Sequence, residues 1–309
     1  MISSHPLAGV YAAAVTPLRP LDGCASELEL ESVPALLRFL AERGCHGAAL
    51  FGTTGEGPSF SFAEREALMR AAVAARDSLN NFRLIVGTGT PSLTETIELT
   101  KLTFDLGCDA ALILPPYYFR KVADDGLFDW FSEVIRRAVP ADKYIIGYHI
   151  PPLTGVGFSI ELLRRLKDVF PSQFAGIKDS SHDINFAKTL GDIFGADLMT
   201  LNGTDSYLKF AMENHAAGCI TAPANLISPS LRAVWDLTRA GKDASETQAR
   251  VSEQRRILEK FSPFPPILKA LLHRRYGLPR WALKPPLSLV SNAVEEQALQ
   301  ELDLLLDKQ

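Results

Sequence analysis

Lys178 closes the apolar run Phe174-Ala175-Gly176-Ile177, so its amine is expected to emerge where a buried strand ends. Burial disfavours the charged form of a lysine, and a neutral amine is a nucleophile toward a carbonyl carbon. The chemistry this offers is imine formation with a ketone or aldehyde. The position also fits a lysine that reaches water along its stem or pairs with Asp179. Tyr148 ends the preceding apolar run, ahead of Pro151-Pro152 and Thr154-Gly155. A phenol there suits proton transfer beside the amine, and it equally suits an aromatic of the core. Gly52-Thr53-Thr54-Gly55-Glu56 follows another run, and its glycines allow a tight turn in which the Thr53 and Thr54 amides and hydroxyls converge on a carboxylate. It lacks the Gly-x-x-x-x-Gly-Lys pattern of a phosphate loop, and Glu56 is read as capping or bracing the turn from below. Tyr117-Tyr118, after Pro115-Pro116, suits a site rim or, more commonly, a subunit interface.

Positioning these groups requires a regular scaffold, and the chain has the pattern for one. Short apolar runs occur at Val10–Val15, Gly47–Phe51, Leu84–Val86, Ala110–Leu114, Tyr144–Tyr148, Phe174–Ile177, Leu198–Leu201 and Gly218–Ile220. Between most of them, apolar residues recur at helical spacing, as in Leu36, Leu37 and Leu40 or Phe128, Phe131 and Ile135. Eight strands that alternate with helices predict an α/β fold of the (β/α)8 TIM-barrel type. A doubly wound open sheet is the competitor. Two features favour the barrel: small or polar residues gather after nearly every run, where such barrels place function, and the eighth run ends near residue 222, with a helical tail beyond it. Residues 1–224 are assigned to the catalytic barrel. Residues 225–309 are assigned to a helical region packed on it, broken at Pro263, Pro265 and Pro266 and again at Pro279, Pro285 and Pro286.

Composition narrows the function classes. A net charge of −4 spread over 309 residues gives no footprint for nucleic acid. No apolar run approaches a membrane span, and Ala12-Ala13-Ala14 lacks the basic and apolar regions of a signal peptide, so a cytoplasmic protein is expected. The histidines have no metal-ligand spacing, and no metal is expected. Cys24, Cys45, Cys108 and Cys219 form no Cys-x-x-Cys pair and read as reduced thiols.

Taken together, these strings resemble the dihydrodipicolinate synthase and N-acetylneuraminate lyase family of pyruvate-dependent class I aldolases. The matching segments are Gly52 to Glu56, Pro116-Tyr117-Tyr118, Tyr148 to Gly155, and Gly176-Ile177-Lys178-Asp179, in the family's order. The resemblance implies that Lys178 is the Schiff-base lysine and Tyr148 the proton-relaying tyrosine. It implies that Thr53 links Tyr148 to a second tyrosine, Tyr118, which in the family reaches across from a neighbouring subunit. Thr53 and Thr54 amides would hold the pyruvate carboxylate, and Gly203 and Ile220 would line the pyruvate pocket. The family usually forms tetramers built as dimers of dimers and needs no organic cofactor. Its partners are small molecules, a 2-oxo acid and an aldehyde.

The departures bear on the second substrate. Leu153 stands where true dihydrodipicolinate synthases carry an arginine for the aldehyde's carboxylate. Arg65 and Pro91 stand where lysine-inhibited members have histidine and asparagine. Leu153 resembles the sialic acid lyases, but their Asp-Glu pair for sugar hydroxyls is here Asp205-Ser206. The expected activity is an aldolase or lyase joining or cleaving pyruvate and an aldehyde, with a 2-keto-3-deoxy sugar acid the favoured substrate. Lysine-pathway condensation and sugar-acid dehydration are alternatives that keep the imine. A non-catalytic 2-oxo acid sensor is the alternative of another class, and the joint presence of Lys178, Tyr148, Thr53 and Tyr118 argues against it.

Overall fold

The protein is described from a computed structural model, which covers residues 5–23 and 25–305. Among the described residues ten strands form: β1 (Gly9–Ala13), β2 (Leu18–Pro20), β3 (Ser26–Leu28), β4 (Gly47–Leu50), β5 (Arg83–Gly87), β6 (Ala110–Ile113), β7 (Tyr144–His149), β8 (Phe174–Asp179), β9 (Met199–Asn202) and β10 (Gly218–Thr221). All but β2 and β3 pair in parallel and close into a barrel in the order β1-β10-β9-β8-β7-β6-β5-β4. This excludes the open sheet. The barrel strands read as unbroken apolar runs because each is buried on both faces, between the barrel interior and an outer layer of helices. The expected runs and the observed strands coincide to within a few residues. The short antiparallel pair β2–β3 was not expected.

The helices are α1 (Val33–Glu42), α2 (Phe62–Arg76), α3 (Leu93–Asp105), α4 (Asp124–Ala138), α5 (Pro151–Thr154), α6 (Ile160–Val169), α7 (Ile184–Phe194), α8 (Leu208–Glu213), α9 (Ala224–Arg239), α10 (Ser245–Glu259), α11 (Phe264–Tyr276) and α12 (Asn292–Asp303). Polar residues start several of them. Ser61 and Glu64 form a reciprocal capping box on α2, and Ser92 and Ser159 cap α3 and α6. The outer layer is completed by α9, which packs on β1, so α10 to α12 are the additional helices. Gln248 on α10 donates to the Asp205 carbonyl (2.8 Å) and accepts from the Lys209 amide (2.7 Å), which ties α10 over the loop that follows β9.

One irregularity sets the barrel interior. The pairing of β7 with β8 runs Ile145 to Phe174, then Ile146 to Gly176, leaving Ala175 as an extra residue on β8. Such a bulge reverses which face the following residues occupy. Ala175 lies in the interior cluster and Ile177 in the outer one, so Lys178, the next residue after Ile177, turns inward beside Tyr148. A regular β8 would have sent Lys178 toward the helices. Gly176 is required there, since a Cβ would sit 1.9 Å from the Met199 carbonyl oxygen.

Cys45, Cys108 and Cys219 are free and buried, and burial pushes the Cys45 and Cys108 thiols up to about 12, so they behave as small apolar groups. Cys24 lies outside the described residues. No helix among the described residues is long and apolar enough to cross a membrane.

Candidate active site

Tyr148 and Lys178 are register partners on adjacent strands, so both side chains leave the sheet on the same face. The Lys178 Nζ lies 4.1 Å from the centre of the Tyr148 ring, over its electron-rich face. Lys178 is buried, and among the described residues no carboxylate lies within 4.0 Å of its amine. Asp179 faces the other way and spends one oxygen on the Ser181 amide at 2.9 Å. The pairing of Lys178 with Asp179 is therefore not what the fold makes.

The Tyr148 hydroxyl is 3.3 Å from Thr53 Oγ1. Burial alone would push the phenol's pKa up, but the nearby Lys178, with hydrogen bonds from Thr53, Lys178 and Ser180, outweighs it and leaves the pKa lowered. A phenol that gives up its proton more readily, facing an amine and a hydroxyl, is suited to relay protons at the atom the amine attacks.

The loop bearing Thr53 is compact. The Gly57 amide donates to the Gly52 carbonyl and the Glu56 amide to the Thr53 carbonyl, both at 3.1 Å. Phe51 and Glu56 take left-handed φ values of 54° and 56°. At Gly57 a Cβ would lie 2.0 Å from the Phe51 oxygen, so only glycine fits this turn. The Thr53 and Thr54 amides donate to no acceptor among the described residues, which leaves them available to an anion in the cavity. Beneath the loop, Glu56 is fully buried and its Oε1 lies 2.5 Å from Lys269 Nζ. Bracing from below is thus what Glu56 does.

These groups open on a cavity of about 210 Å³ whose wall includes Lys178, Tyr148, Thr53 and Thr54. Gly203, Ile220 and Leu153 line the same cavity. A Cβ on Gly203 would lie 2.8 Å from the Asp179 carbonyl oxygen and would also displace the Ser180 hydroxyl, so the backbone favours glycine there. Two of the expected residues stand elsewhere. Tyr118 is 76% exposed and packs edge-on against Phe119, at 5.3 Å between ring centres, outside its own chain's cavity. Asp205 is completely buried, and its Oδ2 accepts from Arg255 Nη1 at 3.1 Å. Among the described residues no cluster of three or more histidine, cysteine or acidic side chains could hold a metal ion.

With this geometry in view, the likenesses to known proteins are specific. The sequence matches the dihydrodipicolinate synthetase family over residues 6–306. The chain belongs to that family. It is 38% identical, over 92% of each chain, to an uncharacterized DapA-like lyase of Chloroflexus aurantiacus. It is 30% identical, over 95% of each, to a 4-hydroxy-tetrahydrodipicolinate synthase of Prochlorococcus marinus. Among solved structures, dihydrodipicolinate synthase from Agrobacterium tumefaciens superposes with a TM-score of 0.85 at 30% identity, covering 97% of this chain and 100% of the other. As a member of the dihydrodipicolinate synthetase family, the protein is an enzyme of the lyase class, a Schiff-base aldolase or lyase.

Several residues of this family member's cavity were not singled out from sequence: Ser180, His182, Arg255 and Phe264. Arg255 lies on α10, far along the chain, in a helix whose polar pattern gives no local sign of it. Lys269 did leave a sign, a charge set among Ile267, Leu268, Ala270 and Leu271 on a helix that is otherwise buried. Arg65 is also buried, donating to the carbonyls of Gly57, Phe60 and Gly87, so it serves the loop's architecture.

Proposed function

We propose that Lys178 forms an imine with the ketone of pyruvate or a related 2-oxo acid, and that the enzyme makes or breaks a carbon–carbon bond to an aldehyde. The observation that carries this is the Lys178 amine 4.1 Å from the Tyr148 ring, inside the barrel and facing a cavity with two undonated threonine amides. The amine adds to C2, the carbinolamine loses water, and the protonated imine withdraws electrons from the neighbouring carbon. In cleavage, the C3–C4 pair flows into the imine to give an enamine. C4 departs as the aldehyde after its hydroxyl loses a proton, the enamine takes a proton at C3, and water releases pyruvate. Condensation is the reverse. Tyr148, with Thr53 at 3.3 Å, carries the protons, and the Thr53 and Thr54 amides hold the carboxylate.

Tyr118 is assigned to the same relay in a second copy of the chain, as its exposure suits a residue that completes a neighbour's site in a tetramer. The favoured substrate is a 2-keto-3-deoxy sugar acid. Leu153, at 60% exposure on the cavity wall, presents no charge to a carboxylated aldehyde. The synthase names of several relatives favour a second reading, condensation of pyruvate into a 4-hydroxy-tetrahydrodipicolinate precursor. Assaying pyruvate release from a panel of 2-keto-3-deoxy acids, beside condensation of pyruvate with an amino-aldehyde acid, separates the two. Full turnover by Lys178→Ala on any of them would overturn both.

A further inference from the structure

The cavity that holds Lys178 continues to a wall made by Arg255, His182 and Phe264, beyond the groups assigned to the 2-oxo acid. Arg255 is fixed there on three sides. Its Nη1 donates to the buried Asp205 at 3.1 Å, its Nε donates to Glu259 at 2.6 Å, and its guanidinium lies 5.1 Å from the Phe264 ring centre. The third nitrogen, Nη2, donates to no described protein group, although Arg255 lines the cavity. A guanidinium held so rigidly loses little freedom when it binds a ligand oxygen.

The charge around it decides which oxygen. Two carboxylates already face one guanidinium, with Asp205 fully buried and Glu259 about half exposed. The positive charge is therefore matched, and what remains for the cavity is a pair of N–H donors rather than an unbalanced cation. An anionic tail would gain those donors and meet the field of Glu259 and Asp205, whereas a hydroxyl gains the donors alone. His182 stands on the same wall with Nδ1 3.3 Å from the Thr204 hydroxyl. Burial lowers its pKa, so it stands there as a neutral ring that hydrogen-bonds without adding charge. Leu153 and Pro152 complete this end without charge.

We infer that Arg255 determines specificity for the second substrate, and that it reads a neutral, hydroxylated tail in preference to one ending in carboxylate or phosphate. On this reading Asp205 acts through Arg255 and is a positioning residue. The inference rests on the imine chemistry proposed above and adds to it the chemical class of the aldehyde, a short hydroxyaldehyde.

The test is condensation of pyruvate with three aldehydes: glyceraldehyde, propionaldehyde and succinic semialdehyde. The wild-type enzyme is expected to favour glyceraldehyde over both others by roughly tenfold or more in kcat/KM, the size of one well-placed hydrogen bond. Arg255→Lys, which keeps a cation for Asp205, should lose about that factor on glyceraldehyde through KM, with propionaldehyde unchanged. The double variant Asp205→Asn, Arg255→Gln removes both charges of the buried pair and should show the same selective loss. Glu259→Gln should raise activity on succinic semialdehyde, because it removes the balancing carboxylate. Equal losses on glyceraldehyde and propionaldehyde, or a wild-type preference for succinic semialdehyde, would overturn the inference. Borohydride trapping with pyruvate distinguishes the levels. A trapped adduct without glyceraldehyde preference ends this inference alone, and the absence of any adduct on wild type ends it together with the imine reading.

Discussion

Lys269 Nζ lies 2.5 Å from Glu56 Oε1, and both side chains are almost wholly withdrawn from water. The pair joins α11 to the turn that carries Thr53 and Thr54. The second Glu56 oxygen accepts from the Lys284 amide at 2.9 Å, and Lys269 also donates to the Ala282 carbonyl at 2.7 Å. The additional helices thus hold the loop of Thr53 and Thr54 from behind. Removing one partner strands a buried charge. Lys269→Met is expected to cost about 3–5 kcal/mol in urea unfolding, and Glu56→Gln with Lys269→Met to recover much of it. Equal losses in single and double variants would show that packing, not the charge pair, matters at this junction.

The bulge at Ala175 gives a second prediction. Gly176→Ala would drive a Cβ to 1.9 Å from the Met199 oxygen, against backbone that cannot yield without moving β9. We expect a loss of more than about 3 kcal/mol, or no folded protein, on overexpression and thermal melting. The neighbouring Ala175→Ser should fold and retain the Tyr148 and Lys178 pairing. A stable Gly176→Ala with native activity would contradict the register described.

Much of this was legible in the sequence, for physical reasons. Parallel strands buried on both faces write themselves as short apolar runs, and Gly52-Thr53-Thr54-Gly55-Glu56 marks a turn by its small and polar residues, although the left-handed positions are Phe51 and Glu56 and the glycine with no room for a Cβ is Gly57. Lys178 was legible as a charge at the end of such a run. That it faces inward was not, because the extra residue at Ala175 exists only relative to the pairing with β7. Asp205 read as a group for substrate hydroxyls, and nothing near it in sequence shows that Arg255, 50 residues on, covers it. The β2–β3 pair escaped because three-residue strands containing Pro20 and Arg19 have no periodicity to read.

A pH effect follows from His149. Its ring stacks on Phe186 at 4.6 Å between centres and its Nδ1 accepts from the Phe158 amide at 2.9 Å, on the outer side of β7. Burial lowers its pKa from 6.5 to about 4. The unfolded chain takes the proton more readily, so the stability from this group is complete above pH 6.5 and is lost as the pH falls from there toward 4. Between pH 7 and pH 5 the wild type should lose about 2 kcal/mol more than His149→Asn in urea titrations. Parallel losses would place the sensitivity in other groups.

The proton relay predicts a graded series. Tyr148→Phe should lower kcat by about 10²- to 10⁴-fold with a smaller change in KM for the 2-oxo acid. Thr53→Val, which removes the hydroxyl 3.3 Å from the phenol, should lower kcat less and shift the alkaline limb of the pH–rate profile upward, since it takes away one of the interactions that lower the Tyr148 pKa. Tyr118→Phe should lower kcat without altering the oligomer seen by light scattering. An unchanged kcat in Tyr148→Phe would remove the phenol from the mechanism.

The central claim is the covalent bond between Lys178 and the 2-oxo acid. Intact-mass spectrometry after incubation with pyruvate and sodium borohydride tests it most directly, with Lys178→Ala alongside. The wild type should gain the mass of one pyruvate less one water plus two hydrogens per chain, on the peptide containing Lys178, and the variant should gain nothing. No adduct on the wild type, or the same adduct on Lys178→Ala, would contradict the account.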